Sequence, residues 1–329
     1  MKKTFKSMVV HENANGTFYN SIEEKNIDEL PKNDLLIKVK YSSLNYKDAL
    51  SAIGNKGVTK RYPHTPGIDA TGTVIKSKDK KFPINSSVIV TGYDLGMNTP
   101  GGFSELISVP SKWALLKPEL LSFKDSMILG TAGLTAGLCI QTIEKKISIK
   151  GSKAIVSGAT GGVGSIAVKL LSKLGANVTA ITGKKDSHNF LKNLGAQEIL
   201  DRTEFLQSVK GPIGKGIWNI AVDVVGGNTL SNILASMKYG GITTCCGLVE
   251  NSNFTSSVYP FILRANHLIG IDSAEISKNI KNDIWHFFSK KWKLKDLKNL
   301  SCTVDLKEIN NEILKILSGK QKGRIILKL

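Results

Sequence analysis

The sequence predicts an α/β protein in two parts, a doubly wound parallel sheet and a β-rich domain, and three observations carry that prediction. At 329 residues the chain is too long for one small core and short for three. From Leu35 to about Val109 it reads as short strand segments separated by turn residues. From about Ile128 the pattern becomes apolar strand, glycine turn and amphipathic helix in repeating order, the sign of a parallel sheet covered on both faces. The expected division is 1–125 for the first part of the β-rich domain, 126–268 for the parallel sheet, and 269–329 for a tail that returns to the first domain.

Taken in order, the β-rich part contains LLIKVKY, TGTVIK, SSVIVTG and FSELISV, each half-alternating and punctuated by glycine. The parallel sheet is expected to use AIVSG at 154–158, NVTAIT at 177–182, IWNIAVDVV at 217–225 and GITTCCG at 241–247, with HLIGIDS at 267–273 as a late strand. Helices fill the gaps: VGSIAVKLLSKLG, SHNFLKNLG with Gly195 just past its end, and NTLSNILASMK. The tail from about Ala274 predicts a helix around Trp285 and a final β run, RIILKL.

Composition narrows the class. Apolar residues make up 41% and charged ones 22%, and the 31 glycines form no low-complexity tract, which is an ordinary globular enzyme composition. Lys and Arg outnumber Asp and Glu by 45 to 27, a formal charge of +18 that suits nucleic acid, anionic lipid or a phosphorylated ligand without choosing among them. The densest basic stretch, Lys290 to Lys298 around Trp292, reads as a solvated helix face or loop. Cys139, Cys245, Cys246 and Cys302 make no C-x-x-C pair, the thiol pattern of a reducing compartment. The start at Met1-Lys2-Lys3 leads into no apolar leader core, and no window is expected to reach a membrane span, so a cytoplasmic protein without a membrane partner is expected.

The sharpest motif is Ser157-Gly158-Ala159-Thr160-Gly161-Gly162-Val163-Gly164, placed after a predicted strand and opening a predicted helix. Small residues there permit a tight turn and let backbone N–H groups approach a pyrophosphate at a helix N-terminus, as dinucleotide binding requires. The next strand ends in Thr182-Gly183-Lys184-Lys185. An acidic residue at that point would accept from a ribose 2′-OH and repel a 2′-phosphate, whereas a hydroxyl and two ammonium groups suit the phosphate, so NADPH is expected over NADH. Asp186 follows the lysines and reads as an N-cap for the next helix.

A zinc-dependent dehydrogenase needs Cys and His ligands in the β-rich domain and a further ligand near the domain junction. Here Pro66-Gly67-Ile68-Asp69 carries Ile68 where a His is expected, and Leu44-Asn45-Tyr46 carries Asn45 where a Cys is expected; no four-cysteine lobe exists, so no metal is expected. Charge on a substrate oxygen must then be met by hydrogen-bond donors.

Ser42-Ser43-Leu44-Asn45-Tyr46-Lys47-Asp48-Ala49-Leu50, Pro66-Gly67-Ile68-Asp69 and Gly130-Thr131-Ala132-Gly133-Leu134-Thr135-Ala136 give the chain its closest resemblance. With Thr91-Gly92, Gly101-Gly102, Cys246-Gly247-Leu248 and Pro260-Phe261-Ile262-Leu263-Arg264 leading to Gly270-Ile271-Asp272-Ser273, it resembles the YhdH/YhfP type of quinone-oxidoreductase-like proteins, zinc-independent medium-chain dehydrogenase/reductases whose defined activity is acryloyl-CoA reductase. The resemblance implies a GroES-like catalytic domain, a Rossmann domain, NADPH in the cleft between them, and a homodimer. It carries cofactor contacts to Tyr46, Thr131, Thr160, Gly161, Gly162, Val163, Thr182, Gly183, Lys184, Arg202, Leu248, Ile262 and Ser273. It also implies hydride transfer from NADPH to the β-carbon of an α,β-unsaturated thioester, most simply acryloyl-CoA, followed by protonation of the enolate. Tyr46 is the candidate donor near that chemistry and Asn45 a candidate for orienting the substrate, while Asp48 and Asp69 read as buried carboxylates that organise turns. Two other readings stay open: a quinone or small-enone reductase, and a nucleic-acid-binding protein that uses NADPH as a regulator.

Overall fold

The computed structural model describes residues 3–329; the Met1-Lys2 pair, where the leader reading begins, lies outside the described residues. Two compact units form, one from the chain up to Thr131 together with Ala274–Leu329, the other from Ala132–Ser273. The second unit thus starts and ends a few residues later than the 126–268 expected.

Along the chain, β1 (Thr4–Glu12) and β2 (Phe18–Asn26) make an antiparallel hairpin. Then come β3 (Leu35–Leu44), α1 (Tyr46–Ala52), β4 (Asp69–Ser77), β5 (Ser87–Thr91), β6 (Leu106–Val109) and β7 (Ala114–Leu116). α2 (Phe123–Glu144) carries the chain across the boundary to β8 (Lys153–Val156), α3 (Gly162–Lys173), β9 (Asn177–Thr182), α4 (His188–Asn193), β10 (Glu198–Asp201) and α5 (Arg202–Ser208). β11 (Trp218–Asp223), α6 (Gly227–Ala235), β12 (Met237–Cys245), α7 (Tyr259–Arg264) and β13 (His267–Gly270) complete the second unit. The tail supplies α8 (Lys278–Ser289), β14 (Ser301–Val304), α9 (Ile309–Leu317) and β15 (Arg324–Lys328) to the first.

In the first unit the strands run β14-β15-β3-β4-β5-β7, with β6 also on β3. One face of this sheet buries Leu35, Ile37, Val39, Val74, Val88, Val90 and Ile107. A second core joins Leu44, Ile325 and Leu327 to Ala49 and Ala52 of α1 and to Ile309 and Ile313 of α9. Each such leucine or isoleucine contributes about 1.5–3 kcal/mol when fully buried, so the tail strand is held by packing as well as by its ladder. The second unit is a six-stranded, all-parallel sheet in the order β10-β9-β8-β11-β12-β13. Its strand order reverses between β8 and β11, the place where open α/β sheets bind ligands. α3 packs there through buried Ile166, Ala167, Val168, Leu170 and Leu171, the apolar spacing that predicted it.

Several expectations change. The β1–β2 hairpin precedes the segment where strands were expected, because FYNSIEEKN alternates without an apolar run. α2 passes the length and composition test for a membrane span, against the expectation that no window would; 83% of that window is buried within the protein, and buried core helices pass the same test. The helix is also broken at Gly130, whose φ is 51°. Asp186 caps nothing: α4 starts after Ser187, and the Asp186 carboxylate accepts from Ser187 Oγ. Gly195, at φ 103°, does close that helix, and Ala196 N donates back to Leu191 O. In the basic stretch the lysines are exposed as expected, yet Trp292, Leu294 and Leu297 between them are buried.

Candidate active site

Strand register gathers one polar group at a single end of the first unit's sheet. Leu44 pairs with Ile325, and Asp69 pairs with Thr91, so Asn45 and Tyr46 just past β3, Ile68 and Asp69 at the start of β4, and Arg324 at the start of β15 all meet there. Arg324 is 2% exposed, and its Nε donates to Ile128 O at 3.0 Å, Nη1 to Leu44 O at 3.2 Å and to Asn45 Oδ1 at 3.0 Å, and Nη2 to Ser43 Oγ at 2.8 Å. The same nitrogen stands 3.8 Å from Asp69 Oδ2. Asp69 also accepts from Ser43 Oγ at 2.6 Å, Asn45 Nδ2 at 2.8 Å, and Thr131 Oγ1 at 2.6 Å and N at 2.9 Å.

The Gly130 break makes this possible. A Cβ there would stand 2.5 Å from Asp69 Oδ2, 2.7 Å from Ser43 Oγ and 2.9 Å from Arg324 Nη2, so only glycine admits the carboxylate to the Thr131 amide.

Asp48 organises the adjoining turn, as the sequence predicts for a buried carboxylate. It accepts from Gly67 N at 3.1 Å, Ile68 N at 2.8 Å and Asn45 N at 2.8 Å. Burial, and then the nearby Asp69 charge, push its carboxyl up to about 7. Burial likewise lowers the Arg324 guanidinium from its usual range, against the pull of Asp69. Asn45 is therefore engaged on both side-chain atoms, and Tyr46, next to it, is half-buried at the first position of α1.

The glycine turn lies in the second unit at the carboxyl end of β8. Gly158 is left-handed at φ 52°, and a Cβ on it would meet Val224 Cγ2 at 2.6 Å. A Cβ on Gly164 would lie 2.3 Å from Gly158 O, so the first turn of α3 presses directly on the loop. Asp223, absent from the sequence-based site, anchors the neighbouring strand end: it accepts from Ser157 Oγ at 2.6 Å and Gly226 N at 2.9 Å, and burial pushes its carboxyl up to about 6. The Val224 backbone also lies 2.0 to 3.0 Å from the position of a Gly247 Cβ, which brings the loop carrying Leu248 beside the glycine turn. This cradle fits a pyrophosphate: Thr160 is 5% exposed, and Gly161, Gly162 and Val163 are partly open at the start of α3.

At the end of the next strand, Thr182 pairs with Asp201, which sets Arg202 beside Gly183. The Arg202 guanidinium lies 3.3–3.5 Å from where a Gly183 Cβ would be, and Lys184 N donates to Thr182 Oγ1 at 3.0 Å. The Thr182 hydroxyl, the Lys184 backbone and the Arg202 guanidinium thus gather around Gly183 at one strand end. Ser273 Oγ is held by Thr135 Oγ1 at 2.7 Å, whereas Leu248 and Ile262 are 58% and 69% exposed. Tyr46 and Thr131 belong to the first unit and the other predicted cofactor residues to the second. The sequence reading missed Arg324 and Asp223; the available signal was a lone charge at the edge of an otherwise apolar strand run.

Residues 162–290 match the family model of zinc-binding dehydrogenases, and residues 31–119 that of the alcohol dehydrogenase GroES-like domain. Over 100% of both sequences the chain is 38% identical to the putative quinone oxidoreductase YhfP of Bacillus subtilis. It belongs to the YhdH/YhfP family of medium-chain dehydrogenase/reductases. Another member, the probable acrylyl-CoA reductase AcuI of Escherichia coli, is 36% identical over 96% of this chain and 98% of its own. Among solved structures, the yhdH oxidoreductase of Salmonella enterica in complex with NADP superposes with a TM-score of 0.94 at 35% identity, covering 98% of this chain and 99% of that one. Bacillus subtilis yhfP with NAD bound gives 0.95 at 38% identity, covering 99% of each.

This YhdH/YhfP-family chain is an oxidoreductase, and the zinc in the broader family description does not fit its residues. Ile68 offers no donor, the Asn45 amide is committed to Asp69 and Arg324, and among the described residues no three His, Cys, Asp or Glu side chains converge. The family's nicotinamide dinucleotide does fit, because glycine at 158 and 164 lets the turn pack tightly under the start of α3 and leaves Gly161, Gly162 and Val163 partly open to a pyrophosphate.

Proposed function

We propose that the protein uses NADPH to reduce the C=C bond of an α,β-unsaturated thioester, most simply acrylyl-CoA. The observation that carries the cofactor choice is the end of β9, where Thr182-Gly183-Lys184 carries no carboxylate and the Arg202 guanidinium lies beside Gly183, while Asp201 of the neighbouring strand is spent on capping α5. A 2′-phosphate there would gain charge-assisted hydrogen bonds that a 2′-OH cannot. Support for the substrate class comes from the two acrylyl-CoA reductases among the relatives, that of Escherichia coli at 36% identity and that of Ruegeria pomeroyi at 33%.

The dinucleotide, when bound, supplies a hydride. Gly162 and Val163 would present backbone N–H groups to its pyrophosphate, with Thr160 and Gly161, whose own N–H closes the turn on Gly158 O, beside them and Lys184 and Arg202 at the 2′-phosphate. The chain's own task is then to stabilise and protonate the enolate left when the substrate β-carbon is reduced. Tyr46 is the proposed donor to that oxygen, since a phenol placed by a rigid helix start is pre-organised for developing negative charge. Asn45 places Tyr46 by fixing the turn before it, held in turn by Arg324 and Asp69. A homodimer in the cytoplasm completes the reading, supported by the single-sided pairing of edge strand β13 and by four free thiols.

The test is steady-state oxidation of NADPH and NADH with acrylyl-CoA, crotonyl-CoA, a simple enone and a benzoquinone. The reading expects NADPH to be preferred, a Lys184→Asp/Arg202→Glu variant to lose about 10-fold or more of that preference, and a CoA thioester to give the highest kcat/KM. Equal use of both cofactors refutes the first part. A benzoquinone that outruns every thioester replaces the second with the quinone-reductase reading, which the YhfP likeness favours.

A further inference from the structure

Two carboxylates, Asp48 and Asp69, are fully buried at the sheet end that carries Asn45 and Tyr46, and one cation, Arg324, is buried with them. The cation belongs to Asp69, whose Oδ2 stands 3.8 Å from Arg324 Nη2. Asp48 is held by amides: Oδ1 accepts from Gly67 N at 3.1 Å and Ile68 N at 2.8 Å, and Oδ2 from Asn45 N at 2.8 Å and, at 3.4 Å, from Asn45 Nδ2. The same Asn45 Nδ2 donates to Asp69 Oδ2 at 2.8 Å, so one amide nitrogen bridges the two carboxylates.

Two buried anions beside one buried cation leave an excess negative charge, which burial makes costly and a single proton removes. That proton goes to Asp48, because the guanidinium lies beside Asp69. Burial and the Asp69 charge accordingly push the Asp48 carboxyl up to about 7. Asp69 of β4 and Arg324 of β15 are the charged groups that bear on it.

Protonation has a mechanical consequence. The groups on both Asp48 oxygens are N–H donors, so a carboxylic O–H meets no acceptor among them and must displace one. On Oδ2, the oxygen that shares the bridging amide with Asp69, the displaced donor is Asn45 N. Asn45 is the N-cap of α1, Tyr46 its first residue and Asp48 its third, so this bond ties the helix start to the turn before it.

We propose that Asp48 is a positioning residue whose ionised carboxylate holds Asn45 and Tyr46 in their working geometry, so that proton uptake by this one side chain turns the enzyme down below neutral pH. The inference rests on the reading of Tyr46 given above and adds regulation to that same site. Asp48 acts through the turn, and a misplacement of about 1 Å at a reacting group is enough to cost about 10²-fold in rate.

The experiment is the pH profile of kcat at saturating NADPH and acrylyl-CoA, from about pH 5.5 to 9, in the full-length enzyme, in Asp69→Asn and in Asp48→Asn. In the unsubstituted enzyme kcat is expected to be level above about 7 and to fall about 10-fold per pH unit below it. Asp69→Asn removes the neighbouring negative charge and leaves Arg324, so the acid limb is expected to move at least about one pH unit downward. Asp48→Asn has nothing to titrate and sets an amide against Asn45 N, so kcat is expected to drop about 10²-fold and to show no acid limb. Asp223, which titrates near 6 in the second unit, would instead give a limb that Asp69→Asn leaves in place.

An unsubstituted enzyme without an acid limb near neutrality, or a limb that keeps its position in Asp69→Asn, overturns the proposal; where Asp69→Asn does not fold, a limb retained in Asp48→Asn does so. If the enzyme reduces no CoA thioester, the thioester reading fails separately and the profiles are taken with benzoquinone. A limb that moves in Asp69→Asn then supports the switch, and a fixed or missing one overturns it.

Discussion

Replacing Arg324 by Met keeps the length and much of the volume of the side chain while removing every donor it supplies. Four bonds go, those to Ile128 O, Leu44 O, Asn45 Oδ1 and Ser43 Oγ, together with the cation 3.8 Å from Asp69. Asp69 keeps its donors from Ser43, Asn45 and Thr131, which moderates the loss. Two buried carbonyls are left short of a partner, each worth about 1–3 kcal/mol, and a buried ion pair broken on one side costs about 3–5 kcal/mol. These penalties overlap because they share one relaxed cavity, so the expected total is about 3–5 kcal/mol, or roughly 6–20 °C in Tm for a unit of this size. Scanning calorimetry of the whole protein reads it as a downward move of the first unit's transition with the second unit's unchanged. Adding Asp69→Asn removes the stranded charge, so the double variant is expected to cost less than the sum of the two single ones. A loss under about 1 kcal/mol, or strict additivity, would refute the view that the guanidinium and carboxylate act as one buried unit.

Gly164→Ala forces a Cβ to within 2.3 Å of Gly158 O, so the turn must open; a destabilisation of about 1–3 kcal/mol and at least a 10-fold weaker NADPH titration are expected, read by fluorescence. Tyr46→Phe removes the proposed donor to the enolate and is expected to lower kcat by roughly 10²–10³ with little change in KM, measured at saturating NADPH. Asp223 titrates near 6 when folded against about 3.8 unfolded, so its contribution to stability is whole below pH 4 and is lost as pH rises through 6. The difference is about 3 kcal/mol. Denaturant titrations at pH 4.5 and 8 are expected to show that slope in the wild type and a flatter one in Asp223→Asn, which carries no buried charge.

Much of the second unit was legible because its chemistry is local. A parallel strand buried on both faces is a continuous apolar run, and a glycine turn between strand and helix announces its own geometry, so NVTAIT and the loop after AIVSG fall where the sequence puts them. β10 was not legible: EILD is too short to show a period. In the first unit the obstacle is distance along the chain. Arg324 lies far from Asn45 in sequence, and no pattern around RIILKL says which loop its guanidinium will meet. Lys281 hides in the same way, since a lysine in an amphipathic helix reads as solvent-facing until tertiary packing turns it inward. Gly130 gave a partial signal within an apolar stretch, but only the Asp69 carboxylate beside it explains why the helix must break there.

The first unit takes its sheet partner β15 and its buried arginine from residues that lie beyond the whole of the second unit in the chain. A ribosome adding about 5–20 residues per second therefore releases the contiguous parallel-sheet unit in a foldable state before β15 has been made. Until then the nascent β-rich half has an acidic pocket with no counter-ion and an open strand edge beside β3. Deleting β15 would leave that half in the same condition permanently, exposing to chaperones and proteases a surface that β15 otherwise covers.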